Sequence, residues 1–203
     1  VTIPVTISGG PGDDFLLHQG SGTAILAGDG GEDLIELLGP GDANVRGGDD
    51  SDYILHLGSG RATINGNGGN DTIVLGAGIL ASDVTVSQQA NGRDLKLDLG
   101  QGDSIYIGNS PLTDGGNVIE QVKFADGTVW TAADLFARSI IPTDGNDALY
   151  GDDNSQTLDG GAGNDRIIAR GGNDVIIGGL GNDNLSGDGG DDTYVFAWGD
   201  GAD

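Results

Sequence analysis

The feature that most restricts this chain is a repeat that runs without gaps. From Gly9, four segments align residue for residue: GGPGDDFLLHQGSGTAILA (9–27), GDGGEDLIELLGPGDANVR (28–46), GGDDSDYILHLGSGRATIN (47–65) and GNGGNDTIVLGAGILASDV (66–84), a period of 19. Down its columns stand Asp14, Asp33, Asp52 and Asp71, then Leu16, Ile35, Ile54 and Ile73, then Ala24, Ala43, Ala62 and Ala81. One coil cannot bury such a stripe, whereas stacked coils bury it as continuous parallel ladders. From Pro142 the period becomes nine: PTDGNDALY, GDDNSQTLD, GGAGNDRII, ARGGNDVII, GGLGNDNLS and GDGGDDTYV reach Val195, two nonapeptides making one 18-residue coil. Their sixth positions are Asp147, Gln156, Asp165, Asp174, Asp183 and Asp192, and their eighth are Leu149, Leu158, Ile167, Ile176, Leu185 and Tyr194. The expected fold is all-β, a parallel β-roll, or β-solenoid, in two arrays.

Between the arrays the period lapses. Strand-like alternation appears in TVSQQ, DLKLDL, DSIYIGN and VIEQVKF, KFADGTVW reads as a hairpin, and TAADLFAR as one short helix with Thr131 at its N-cap and Ala133, Leu135 and Phe136 on its apolar face. The expected organisation is a first roll over 1–84, a β-rich insert acting as cap or spacer over 85–141, and a second roll over 142–203. The ending GDGAD (199–203) stops inside a motif that recurs upstream, so the chain is expected to be a piece of a longer one.

Composition decides what such a fold would bind. The chain has 41 glycines and 29 aspartates against three glutamates, and a formal charge of −24, which disfavours nucleic acid and anionic membrane and favours a cation. No cysteine is present to supply a disulfide or a thiolate metal site. No stretch approaches the roughly 18 apolar residues of a membrane span.

The nonapeptide G-G-x-G-x-D-x-U-x, with U apolar, is a repeat of Ca²⁺-binding parallel β-helices, and GGAGNDRII (160–168) and GGLGNDNLS (178–186) match every fixed position. Calcium takes six to eight hard oxygens, which glycine turns supply as backbone carbonyls and aspartate as a short charged side chain. Turns on one edge stack at roughly 4.8 Å, so one ion draws ligands from two coils. Without it, carboxylates at that spacing repel by roughly 1 to 3.5 kcal/mol per pair, which makes folding dependent on calcium. The expected carboxylate ligands are Asp14, Asp33, Asp52, Asp71, Asp147, Asp165, Asp174, Asp183 and Asp192. The expected carbonyl ligands are those of Gly9, Gly12, Gly28, Gly30, Gly47, Asp49, Gly66, Gly68, Gly160, Ala162, Gly163, Gly171, Gly178, Leu180, Gly181, Gly187 and Gly189. Three sites in the first array, plus Asp147 with Asp165, Asp165 with Asp183 and Asp174 with Asp192, make about six ions. The Gln156–Asp174 pair is expected to be weak or empty, as is the opposite edge of the first array, where Asp42 is the one acidic side chain at a ligand-like position.

The chain is not expected to be an enzyme. It carries no Gly-x-Ser-x-Gly elbow, zinc histidine pair or Walker loop, and nothing near Glu32 and Glu36 would raise a carboxyl for glycosidase chemistry. His18 and His56 share a column two coils apart, too far for one metal, and read as surface packing. Trp130 and Trp198 read as core residues closing strand ends rather than a sugar platform. An adhesin segment that grips glycans, ice or cells is the alternative function, although the columns Thr23, Asp42, Arg61, Leu80 and Ile25, Asn44, Thr63, Ser82 form no regular threonine row for ice.

These motifs resemble the RTX, or haemolysin-type, calcium-binding repeats over 142–203 and, in a 19-residue variant, over 9–74. GILASDVTV (78–86), NGRDLKLDL, GDSIYIGN and IEQVKFADGTVWTAADL (119–135) resemble the related domain that often accompanies them. The resemblance implies a right-handed β-roll, type I secretion as an unfolded chain, and calcium-triggered folding outside the cell or on the bacterial surface. It implies as partners the secretion machinery and other domains of a parent protein, such as a lipase, protease or toxin that the module would support or target.

Overall fold

The computed structural model describes residues 4–108 and 119–201, and it divides into two compact units, 1–86 with 94–135 and 87–93 with 136–203. In the first unit the 19-residue segments become eight strands: β1 (Val5–Pro11), β2 (Phe15–His18), β3 (Ala24–Gly30), β4 (Leu34–Leu37), β5 (Ala43–Asp49), β6 (Tyr53–His56), β7 (Arg61–Asn67) and β8 (Asp71–Leu75). The chain alternates between two parallel sheets, β1-β3-β5-β7 in one and β2-β4-β6-β8 in the other. Register follows the sequence period: Ala24 stands beside Ala43 and Ala43 beside Ala62, while Leu16, Ile35, Ile54 and Ile73 form the facing ladder. Side chains alternate between faces, so every second residue enters a core that includes Leu26, Val45, Ile64, Ile35, Ile54 and Ile73, none of them exposed. The parallel β-solenoid expected from the periods is the fold observed.

The fourth segment departs from the period after β8. Residues 76–84 fold into turns, with the Ile79 amide donating to Gly76 O and the Asp83 amide to Leu80 O. Ala81 therefore leaves the alanine ladder, and its place beside Ala62 passes to Ile105. The insert supplies that residue: β9 (Thr85–Gln88) and β10 (Leu95–Gly100) precede β11 (Asp103–Ile107), which runs parallel to β7 and antiparallel to β10. On the other sheet, β12 (Ile119–Lys123) runs parallel to β8, placing Val122 beside Ile73, and β13 (Val129–Thr131) returns antiparallel. The expected hairpin is present, its turn closed by the Phe124 amide on Thr128 O and by Gly127 at φ 91°. The insert thus adds one more coil and then antiparallel strands that cover the edges of both parallel sheets, edges that would otherwise pair with other chains.

Helix α1 (Ala132–Ser139) follows with a reciprocal cap, the Asp134 amide donating to Thr131 Oγ1 and the Thr131 amide to Asp134 Oδ2. Leu135 is buried in the core of the first unit and Ala133 is exposed, so the apolar face is narrower than expected.

In the second unit the nonapeptides give three-residue strands, β14 (Ala148–Tyr150), β15 (Thr157–Asp159), β16 (Arg166–Ile168), β17 (Val175–Ile177), β18 (Asn184–Ser186) and β19 (Thr193–Val195). They form parallel sheets β14-β16-β18 and β15-β17-β19 with an 18-residue register, around Leu149, Leu158, Ile167, Ala169 and Ile176. Residues 87–93 serve the first coil as a surrogate neighbour. Gln88 donates to Tyr150 O at 2.9 Å and accepts the Tyr150 amide, and Tyr150 Oη donates to Ala90 O at 2.7 Å.

Candidate metal sites

The aspartate columns become hydrogen-bonded ladders. One carboxylate oxygen of each aspartate accepts the backbone amide of the sixth-position residue one coil back: Asp14 N–H on Asp33 Oδ1 (2.8 Å), Asp33 on Asp52 (2.8 Å), Asp52 on Asp71 (2.9 Å), Asp147 on Asp165 (2.8 Å), Asp165 on Asp183 (2.8 Å) and Asp174 on Asp192 (3.0 Å). The second oxygen is left over. Oδ2 of Asp33, Asp52, Asp71, Asp165, Asp174 and Asp183 is buried with no hydrogen-bond partner in the protein. Unpaired buried polar oxygens are costly, and their recurrence at one motif position marks a place for a partner from solution.

Glycine shapes that place. A Cβ built on Gly28 would lie 2.0 Å from Asp33 Oδ2 and 2.4 Å from the Gly47 carbonyl; on Gly47, 2.3 Å from Asp52 Oδ2 and 2.7 Å from the Gly66 carbonyl; on Gly160, 2.4 Å from Asp165 Oδ2 and 2.5 Å from the Gly178 carbonyl. Gly9, Gly178 and Gly187 similarly face Oδ2 of Asp14, Asp183 and Asp192. Gly9, Gly28, Gly47 and Gly160 therefore each leave open a cradle between their own aspartate and a carbonyl of the next coil. Positions two and four are left-handed throughout the first array (Gly10 and Gly12, Asp29 and Gly31, Gly48 and Asp50, Asn67 and Gly69), which rotates successive peptide groups out of the strand pattern. Gly161 with Gly163, Gly179 with Gly181, Asp188 with Gly190, and Arg170 with Gly172 repeat this in the second array. Aspartate and asparagine tolerate that region, and Arg170 is the exception.

Burial dominates the electrostatics. It pushes the Asp71 carboxyl up to about 7 and that of Asp52 up to about 6, with neighbouring carboxylates adding to the rise and the backbone hydrogen bond opposing it. Asp33 and Asp165 are raised for the same leading reason. Orphaned carboxylate oxygens and adjacent carbonyls make a hard oxygen donor set, which fits Ca²⁺. Among the described residues no three acidic or histidine side chains converge on one point.

The expected residues are not equivalent. Asp147 has Oδ2 already engaged by the Thr143 amide at 2.7 Å and by Thr143 Oγ1, and neither its turn nor that of Gln156 has left-handed residues at positions two and four. Gly30 O and Leu180 O accept the Gly12 and Gly163 amides, so these third-position carbonyls also join coil to coil. Asp49 stacks beside Gly30, Ala162 beside Leu180 and Gly171 beside Gly189, while the Gly68 amide donates to Gly48 O. The Gly12 and Gly163 carbonyls lie against the fourth-position glycines of the following coils, Gly31 and Gly181, and the Gly181 carbonyl lies against Gly201.

Four residues stand apart from the sequence reading: His18, His56, Trp198 and Glu120. His18 and His56 are 8 % and 2 % exposed, inside the roll rather than on its surface, with His18 Nε2 and both His56 ring nitrogens unpartnered. Their column reads His18, Leu37, His56, Leu75, an inward position where the strand alternation leaves no route outward. Trp130 is buried edge-on to Phe124, but Trp198 is fully exposed, outside any strand. Glu120, absent from the expected ligands, accepts the Asp71 amide at 2.6 Å and so takes the next place on the ladder. Only its position in the bulged strand reveals this, since it lies outside the period.

Two family models match the chain. Four copies of the RTX calcium-binding nonapeptide repeat match residues 143–167, 150–185, 159–194 and 168–203, and the haemolysin-type calcium binding protein related domain matches 94–134. No curated protein matches the chain in sequence. Among solved structures the chain is similar to the extracellular lipase LipA from Serratia marcescens, with 21 % identity and a TM-score of 0.40 over 97 % of this chain and 29 % of that one. The second array is thus a run of RTX calcium-binding nonapeptide repeats, and the segment before it matches the haemolysin-type calcium binding protein related domain.

Proposed function

We propose that the chain is a non-catalytic module that folds when it binds about six Ca²⁺ ions outside the cell, supporting type I secretion and stability of a larger secreted or surface protein. The observation that carries this reading is the row of buried, unpartnered Oδ2 atoms, those of Asp33, Asp52, Asp165 and Asp183 each facing a first-position glycine. Bound there, calcium supplies the positive charge that offsets adjacent carboxylates. Asp33, Asp52, Asp71, Asp165, Asp174 and Asp183 offer the charged oxygens and the first-position glycines the carbonyls, while Asp147, satisfied by Thr143, is the weakest of the expected ligands. Low calcium inside the cell would leave the ladder unneutralised and the chain open for export, and millimolar calcium outside would close it.

Titrating Ca²⁺ into calcium-free protein while following far-ultraviolet dichroism tests this, with Mg²⁺ as a control for charge screening. A cooperative gain of β signal with Ca²⁺ alone is expected. A spectrum unchanged by calcium would sink the proposal.

A second reading, as an adhesin segment or targeting module, is favoured by one observation. The outer face of the sheet holding β2, β6 and β13 exposes Phe15, Leu17, Tyr53 and Val129, apolar side chains that calcium binding does not need. Binding of the calcium-loaded chain on a glycan array would support it.

A further inference from the structure

We infer a further calcium position, between Asp71 and Glu120, that joins the first array to the haemolysin-type related segment. The inference rests on the calcium reading of the ladder and extends it past the last repeat. Along the array each coil passes the same bond forward: a backbone amide at the aspartate position donates to the carboxylate of the next coil. At Asp71 the repeats end, yet the bond continues, because Glu120 Oε2 receives the Asp71 amide at 2.6 Å. The two strands are in parallel register with an irregularity at this point. Ile119 stands beside Asp71 and Gln121 beside Thr72, so Glu120 is the extra residue of a bulge. One added residue and one added methylene bring a glutamate carboxylate to where an aspartate stands in every other coil.

The second observation is at Asp71 itself. Its side chain is wholly buried, Oδ1 is used by the Asp52 amide, and Oδ2 has no partner. With Asp52 on one side and Glu120 on the other, Asp71 is an inner member of the ladder rather than its end. A divalent cation of the kind held between earlier coils would bring β12 and β8 together and make the docking of the segment calcium-dependent.

The test is the number of ions bound by the whole chain, measured by native mass spectrometry and calorimetric titration. Glu120→Gln keeps an acceptor for the Asp71 amide and removes the charge. It is expected to bind one Ca²⁺ fewer than the wild type, whereas Glu36→Gln, on the outward side of β4, is expected to bind the full number. Glu120→Asp, which retains the charge but withdraws it by one methylene, is expected to weaken one ion by about tenfold. An unchanged count in Glu120→Gln, or an unchanged titration in Glu120→Asp, overturns the inference. Asp52→Asn serves as a reference within the repeats: if it too leaves the titration unchanged, the ladder as a whole is not the calcium site, which separates that failure from a failure at Glu120 alone.

Discussion

At Asp52 a single carboxylate meets opposite demands with and without calcium. Its Oδ1 holds the Asp33 amide, its Oδ2 is buried beside Gly47 and the Gly66 carbonyl, and burial raises its pKa to about 6. Asp52→Asn keeps the acceptor and removes the charge. In calcium-free solution at neutral pH the variant is therefore expected to be more stable than the wild type, on the order of 1–3 kcal/mol, because a buried charge is gone. In saturating Ca²⁺ it is expected to be less stable, because the two sites that share Asp52 lose a charged ligand. Denaturant unfolding under both conditions checks the inversion, and a loss of stability in both would contradict it. His56 tests the interior in the same way. It occupies a column whose neighbours are Leu37 and Leu75, and neither ring nitrogen finds a partner. His56→Leu is expected to raise stability by roughly 1–3 kcal/mol, with or without calcium, since it removes unsatisfied polar atoms without leaving a void.

Among the elements, strand length separates the two rolls. Strands in the first run to seven residues over a core that includes the closing β10, β11 and β12, whereas those of the second have three residues each over five fully buried side chains. Less apolar burial per coil leaves more of the folding free energy to the metal. As calcium is withdrawn, amides of 166–195 are expected to lose hydrogen-exchange protection before those of β3 to β7; the reverse order would show that the second core suffices alone. The same elements show how far sequence reached. Periods of 19 and nine fixed the register of Leu16, Ile35, Ile54 and Ile73 and of the paired aspartates, because a repeat constrains each coil through its neighbours. It could not reach Ala81 or Glu120. Their fates depend on which non-repeating strand the final coil accepts, a long-range choice made by the alternating SIYI of β11 and by a bulge in β12. The buried histidines were misread because side-chain chemistry was weighed above their inward register.

For the whole molecule, charge decides the response to pH. The formal charge is −24, and the ladder carboxyls of Asp33, Asp52, Asp71 and Asp165 are all raised by burial. A carboxyl raised in the folded state favours the proton there. Its contribution to stability is fully present below the unfolded value of 3.8 and disappears as pH rises through about 6 for Asp52 and about 7 for Asp71. His56 opposes this: burial lowers its pKa, so its contribution is present above the ordinary 6.5 and is lost as pH falls through the folded value. Four carboxyls outweigh one imidazole, and acid also reduces the net negative charge. In the calcium-free chain, β structure is therefore expected to increase from about pH 8 to about pH 5, protons partly replacing the missing ions. With calcium the sign reverses, because each proton taken up by the ladder displaces a ligand charge from the metal and lowers affinity. Far-ultraviolet dichroism and thermal unfolding at both pH values, in dialysed calcium-free buffer and in millimolar Ca²⁺, measure both slopes. Parallel slopes would mean that the raised carboxyls and the metal ligands are different groups. Opposite slopes would place proton and calcium on the same oxygens.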